Sequence, residues 1–259
     1  MLYKRLLSAA IGVPLVLIPL WYGGWVFFML VLLIMGVISY ELNRVFREMS
    51  LKTSLPMMLA GLLALSLSAY WGGGAGLGSA VLPVVAVLLV AGVFLYPSLK
   101  PGDLAATVSG MLYVSLFLYV YLLRNLDGGF ALTMTLLAGI WLSDTAAYFF
   151  GKNFGKKKLA KQLSPGKTVE GALAGLAGGV AGTLLIYMYS PVVSLPKAVA
   201  IGVLLSVAGL LGDLLESSLK RTAGIKDAGM ILPGHGGLLD RFDGMLIAAP
   251  ALYYFIYYL

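Results

Sequence analysis

The sequence predicts an all-α, polytopic membrane protein with about nine transmembrane helices and a cytoplasmic N-terminus. Three observations predict it. Of the 259 residues, 60% are hydrophobic and 11% charged, where an ordinary soluble domain carries about 25% charged residues. Apolar runs close to the roughly 20 residues that a spanning helix needs recur from one end of the chain to the other. Lysines and arginines gather on alternate connections between those runs, the pattern of a positive-inside topology.

In order, the runs fall at 6–22, 25–40, 54–71, 79–97, 104–123, 130–150, 170–190, 197–216 and 242–259. The first lies in MLYKRLLSAAIGVPLVLIPL, which has the basic start and apolar stretch of a signal peptide. No small-residue cleavage site follows, so a retained span is expected, with a cleaved signal as the alternative. The third and fourth runs are parted by Gly72-Gly73-Gly74-Ala75-Gly76-Leu77-Gly78, a glycine-rich stretch that the topology places outside as a flexible hairpin. Thirty-three glycines suit helices that approach closely in lipid. The last run ends in YYFIYYL, whose tyrosines suit a membrane interface.

With Lys4 and Arg5 cytoplasmic, 16 of the 18 basic residues share one side, and Arg124 and Lys197 fall outside. Ten of the 11 acidic residues fall on the same side, Asp127 being the exception. Positive-inside topology does not bias Asp and Glu. The acidic clustering therefore asks for a separate cause, which a cytoplasmic site would supply. There is no cysteine and one histidine, His235, which excludes disulfides, thiolate ligands and multi-histidine zinc sites. A metal here would be held by oxygen, which favours a hard ion such as magnesium.

The densest polar region runs from Gly212-Asp213-Leu214-Leu215-Glu216-Ser217-Ser218-Leu219-Lys220-Arg221 to Leu239-Asp240-Arg241-Phe242-Asp243. On a helix, Asp213, Ser217 and Lys220 share a face, and Asp240 and Asp243 lie one turn apart. Between them, Gly224, Gly229, Gly234, Gly236 and Gly237 give a loop whose backbone can approach phosphate oxygens. The bland alternative pairs Asp213 and Glu216 with Lys220 and Arg221 as an interfacial salt-bridge cluster. Ionisable groups at membrane depth are more often functional.

A second region holds Asp144 inside an apolar span, then the basic stretch 152–161, then Ser164-Pro165-Gly166-Lys167-Thr168-Val169-Glu170-Gly171. Lys156, Lys157 and Lys158 read best as an anionic-lipid anchor. Gly166-Lys167-Thr168 ends like a phosphate-binding P-loop, but Lys161 stands at the earlier glycine position and no preceding strand is expected.

Ser217 to Arg221, Lys226-Asp227-Ala228-Gly229 and Leu232-Pro233-Gly234-His235-Gly236-Gly237-Leu238-Leu239-Asp240-Arg241-Phe242-Asp243 together resemble the signature of the phosphatidate cytidylyltransferase family. Ser143-Asp144-Thr145-Ala146-Ala147-Tyr148 and the stretch 164–171 are similar to further patterns of that family, although Gly166 stands where a lysine or arginine is common. The resemblance covers roughly the C-terminal half. It implies N-terminal transmembrane helices over 1–103 and a transmembrane catalytic region over 104–259.

The resemblance also implies a reaction: CTP and phosphatidic acid give CDP-diacylglycerol and pyrophosphate, with magnesium and room for a second metal ion. The implied partners are the two substrates and membrane lipid, without nucleic acid, and a homodimer is compatible. The implied location is the inner or plasma membrane, with the site on the cytoplasmic face. Asp213 and Asp240 are the first candidates for metal ligands, followed by Asp243 and Asp144. Lys220, Arg221, Lys226 and Arg241 are expected to hold phosphates, with Asp227 and His235 orienting neighbours. Ser164, Lys167, Thr168, Glu170, Ser217, Gly236 and Gly237 are expected at the substrate site. The alternative reaction is a CTP-dependent polyprenol or phytol kinase, which transfers the γ-phosphate to an alcohol and needs a general base.

Overall fold

The computed structural model describes residues 12, 14–229 and 236–258. Lys4, Arg5, the stretch 232–234 and His235 lie outside the described residues. The chain is helical almost throughout: α1 (14–22), α2 (Gly24–Glu48), α3 (Leu55–Phe94), α4 (Pro101–Ser115), α5 (Leu118–Arg124), α6 (Gly129–Phe154), α7 (Val169–Tyr189), α8 (Leu195–Thr222) and α9 (Leu239–Tyr258). Six stretches among the described residues are long and apolar enough to cross a membrane, with α4 and α5 counting together as one. The 20 residues of α9 are not among them. Its tyrosines and its charged first turn dilute an otherwise apolar sequence.

The 40-residue α3 is two helices joined at a sharp turn. Gly73 has φ 58° and ψ −145°, a backbone that side-chain-bearing residues rarely adopt. A straight helix would put Gly61 and Leu88 about 40 Å apart at 1.5 Å per residue. Instead a Cβ on Gly61 would lie 3.1 Å from Leu88 Cδ1. The two arms therefore run antiparallel. The two predicted runs are correct here, but the glycine stretch between them is not a loop: helix resumes immediately after the single turn residue.

Two compact units form, one of Met1–Leu122 with Leu219–Arg241, the other of Leu123–Ser218 with Phe242–Leu259. In the first, α2, α3 and α4 pack around Leu42, Phe46, Met58 and Met111, all buried. Gly110 lets them close up, since a Cβ there would lie 2.8 Å from the Phe46 ring and 3.0 Å from the Met58 methyl. Asp103 caps this packing: its carboxylate accepts from the Lys52 backbone N–H at 2.7 Å and the Lys100 N–H at 3.3 Å.

In the second unit, α6 and α7 pack backbone against backbone. A Cβ on Gly178 or Gly182 would lie 2.5 Å from the carbonyl oxygens of Leu142 and Ala138 respectively. Lipid offers no hydrophobic force between helices, so small residues that maximise van der Waals contact carry the association. A short antiparallel hairpin precedes α7: β1 (Lys158–Ala160) pairs with β2 (Ser164–Thr168). The sequence reading placed no strand here, and the fold remains helical almost throughout. Thr168 ends the strand and starts the helix, its buried hydroxyl accepting from the Gly171 N–H at 3.1 Å. Strand leads directly into helix with no glycine-rich loop between them, so Gly166-Lys167-Thr168 is not a P-loop.

Candidate active site

In the second unit, glycines bring three carboxylates together. A Cβ on Gly212 would lie 2.5 Å from the Asp243 carbonyl oxygen and 2.9 Å from Gly244 Cα, so α8 and α9 touch through their backbones. On α8, Asp213 and Glu216 lie three residues apart and share a face. The contact at Gly212 sets Asp243 against that face. One oxygen from each of Asp213, Glu216 and Asp243 lies within 4.8 Å of the others. Glu216 is only 1% exposed, whereas Asp213 and Asp243 are half-buried.

Around this cluster, Lys167 Nζ lies 2.5 Å from Asp213 Oδ2, with side chains 21% and 38% exposed. The Ser217 hydroxyl donates to Asp213 Oδ1 at 3.3 Å, and the Gly244 N–H to Asp243 Oδ1 at 2.7 Å. Lys167 is held out by β2, whose hairpin is fastened from below: Glu170 accepts from the backbone N–H groups of Lys156 and Lys157 at 3.1–3.2 Å. Ser164 opens the same strand and is half-buried, while Asp144 on α6 is exposed.

The first unit contains a separate polar arrangement. Lys220 Nζ donates to Asp240 Oδ1 at 2.6 Å, with side chains 16% and 10% exposed. Asp240 Oδ2 accepts from the N–H groups of Ala228 at 3.1 Å and Gly237 at 2.9 Å. Gly236 turns the chain there at φ 82°, and a Cβ on it would lie 3.1 Å from Asp240 Oδ2. Arg221, Lys226, Asp227 and Arg241 are exposed.

Lys220 makes an ion pair with Asp240, and Asp213 makes one with Lys167. Glu216, which sequence reasoning left outside the candidate ligands, joins Asp213 and Asp243. Its i, i+3 spacing from Asp213 was the available signal. Two further acidic residues have a structural use: the carboxylates of Asp103 and Glu170 accept from backbone N–H groups.

Three carboxylate groups converging on one point, one of them almost fully buried, suit a hard divalent cation bound by oxygen. Such a cluster, with a lysine against it and set among helices long and apolar enough to cross a membrane, defines an integral membrane protein with an acidic group that could bind a divalent cation. The chain belongs to the Cytidylyltransferase family, whose match covers residues 3–259, and is thereby a nucleotidyltransferase. It is 31% identical over 291 aligned positions to the phosphatidate cytidylyltransferase of Synechocystis sp., covering 98% of this chain and 96% of that protein. It is 43% identical over 175 residues to the phosphatidate cytidylyltransferase of Bacillus subtilis, covering 65% of this chain and 62% of that one. Over 134 residues it is 40% identical to the uncharacterized protein YnbB of Escherichia coli, covering 52% of this chain and 45% of that protein.

Proposed function

We propose that this protein transfers the cytidylyl group of CTP to phosphatidic acid, releasing pyrophosphate and CDP-diacylglycerol. The observation that carries the reading is the convergence of Asp213, Glu216 and Asp243 within 4.8 Å, with Lys167 against Asp213. Family membership and the relatives' names support the same chemistry.

A phosphate oxygen of phosphatidic acid attacks the α-phosphorus of CTP, a new P–O bond forms, and the bond to the β-phosphate breaks. The attacking oxygen is already anionic near neutral pH, so no strong general base is required. The obstacle is the approach of two polyanions, which positioned cations overcome. Asp213, Glu216 and Asp243 would hold magnesium, which when bound neutralises phosphate charge and aligns the displacement. Asp144 is a candidate for a second ion.

Lys167, presented on β2, would exchange Asp213 for a substrate phosphate. Arg221, Lys226 and Arg241 offer exposed charge for phosphates, arginine through its bidentate fork. Lys220 and Asp240 fix the loop that carries Gly236 and Gly237, and Asp227 and His235 orient groups on that loop. Ser164 and Ser217 reach substrate or ligand oxygens, while Thr168 and Glu170 brace the strand that presents Lys167.

The proposed topology has nine crossings: α1, α2, the two arms of α3, α4 with α5, and α6 to α9. The N-terminus and the site face the cytoplasm, where CTP is available, and the lipid substrate arrives sideways from the inner leaflet. A homodimer is compatible with the reading. The test is the full chain in detergent with radiolabelled CTP and phosphatidic acid, with and without magnesium. Labelled CDP-lipid with pyrophosphate supports the proposal. A phospholipid product with CDP would identify a kinase instead.

A further inference from the structure

We infer that Glu41, on α2, is a positioning residue that clamps the loop holding Asp240. The inference rests on the proposed reaction for its kinetic consequence, but the clamp itself is a matter of geometry. Glu41 is 1% exposed, a carboxylate in a helix that is otherwise apolar for most of its length. Its Oε1 accepts from the Leu238 N–H at 3.1 Å, and its Oε2 from the Leu239 N–H at 2.8 Å. These are N–H groups at the start of α9, which have no partner inside their own helix. A carboxylate there also meets the positive end of the helix dipole.

The same carboxylate is the floor on which both sides of the loop rest. A Cβ on Gly237 would lie 2.7 Å from Glu41 Oε2, and a Cβ on Gly229 would collide with Oε1. Gly237 and Ala228, the latter next to Gly229, are the residues whose N–H groups hold Asp240 Oδ2. Asp240 in turn holds Lys220. One carboxylate, from a residue nearly 200 positions earlier, thus sets the height of both backbone donors to Asp240.

A purely space-filling role would tolerate the isosteric amide. A role as double acceptor would not, because the amide NH2 of glutamine cannot accept from the second N–H. The experiment uses the full chain in detergent, wild type and Glu41→Gln, with two readouts. The first is amide hydrogen exchange over 226–229 and 236–241. The second is steady-state kinetics for CTP and phosphatidic acid.

The expected result is exchange over 226–229 and 236–241 accelerated about 10-fold while that of α2 is unchanged, and kcat lowered about 10- to 100-fold, the usual effect of losing a group that orients a site. KM for CTP stays within about threefold. Gly237→Ala, which pushes the loop off the carboxylate, gives the same pair of changes and serves if Glu41→Gln does not fold. Unchanged exchange, or unchanged kcat despite faster exchange, overturns the inference. A wild type that makes no CDP-lipid instead sinks the proposed reaction, and the exchange result then decides the clamp by itself.

Discussion

Replacing Gly212 with alanine tests whether the α8–α9 backbone contact builds the acidic site. The new methyl would lie 2.5 Å from the Asp243 carbonyl oxygen, 2.9 Å from Gly244 Cα and 3.1 Å from the Asp243 carbonyl carbon. All three are backbone atoms and cannot swing away. Ordinary contacts begin near 3.5 Å, so the helices must part by about 1 Å. A shift of that size at a reacting centre costs about 100-fold in turnover, and overpacking costs about 1–3 kcal/mol in stability. Gly209, one turn earlier on α8, is the control: a Cβ there meets only Ile140 Cγ1, at 3.9 Å. Gly209→Ala should leave activity unchanged and gain up to about 1 kcal/mol from helix propensity. Turnover and thermal unfolding in detergent read both variants. If Gly212→Ala turns over like wild type, close approach of the two helices is not what assembles the carboxylates.

Three further substitutions follow from the same geometry. Asp213→Asn should preserve the unfolding temperature within a few degrees and lower kcat at least about 100-fold, unrelieved by saturating magnesium. Glu216→Gln keeps shape but removes a charge from the cluster, so the magnesium concentration for half-maximal rate should rise about 10-fold with kcat less affected; a magnesium titration at fixed CTP measures it. Lys167→Met should raise KM for a phosphate-bearing substrate, with Lys167→Arg recovering part of the loss, since charge is retained but bidentate geometry differs.

Much of the fold was legible because lipid imposes length and apolarity on any spanning helix. The runs at 54–71 and 79–97 emerged as the arms of α3, and the glycines between them marked the turn, though not how short it would be. The β1–β2 hairpin was not legible: lysines, a proline and a glycine over 158–168 carry no alternating pattern. Its order comes instead from Glu170, which fastens Lys156 and Lys157 by their backbone.

At the site, Asp213 was a first candidate ligand together with Asp240, and Asp243 a later one with Asp144, whereas the cluster holds Asp213 and Asp243 without Asp240. Glu216 was not among the candidate ligands, because the face considered on α8 was the one shared by Asp213, Ser217 and Lys220; the contact with Asp243 selects Glu216 instead. Glu41 could not be inferred at all. Its partners are backbone N–H groups 197 and 198 residues away, which every sequence has and none announces.

Manganese binding followed by electron paramagnetic resonance tests the central claim most directly, using the full chain in detergent with Mn2+ as a probe for magnesium. The account predicts a bound ion in the wild type whose affinity falls at least about 10-fold in Asp243→Asn and in Glu216→Gln, and which magnesium displaces. Binding of equal strength in wild type and both variants would contradict it, because the cation would then lie outside the carboxylates that α8 and α9 bring together.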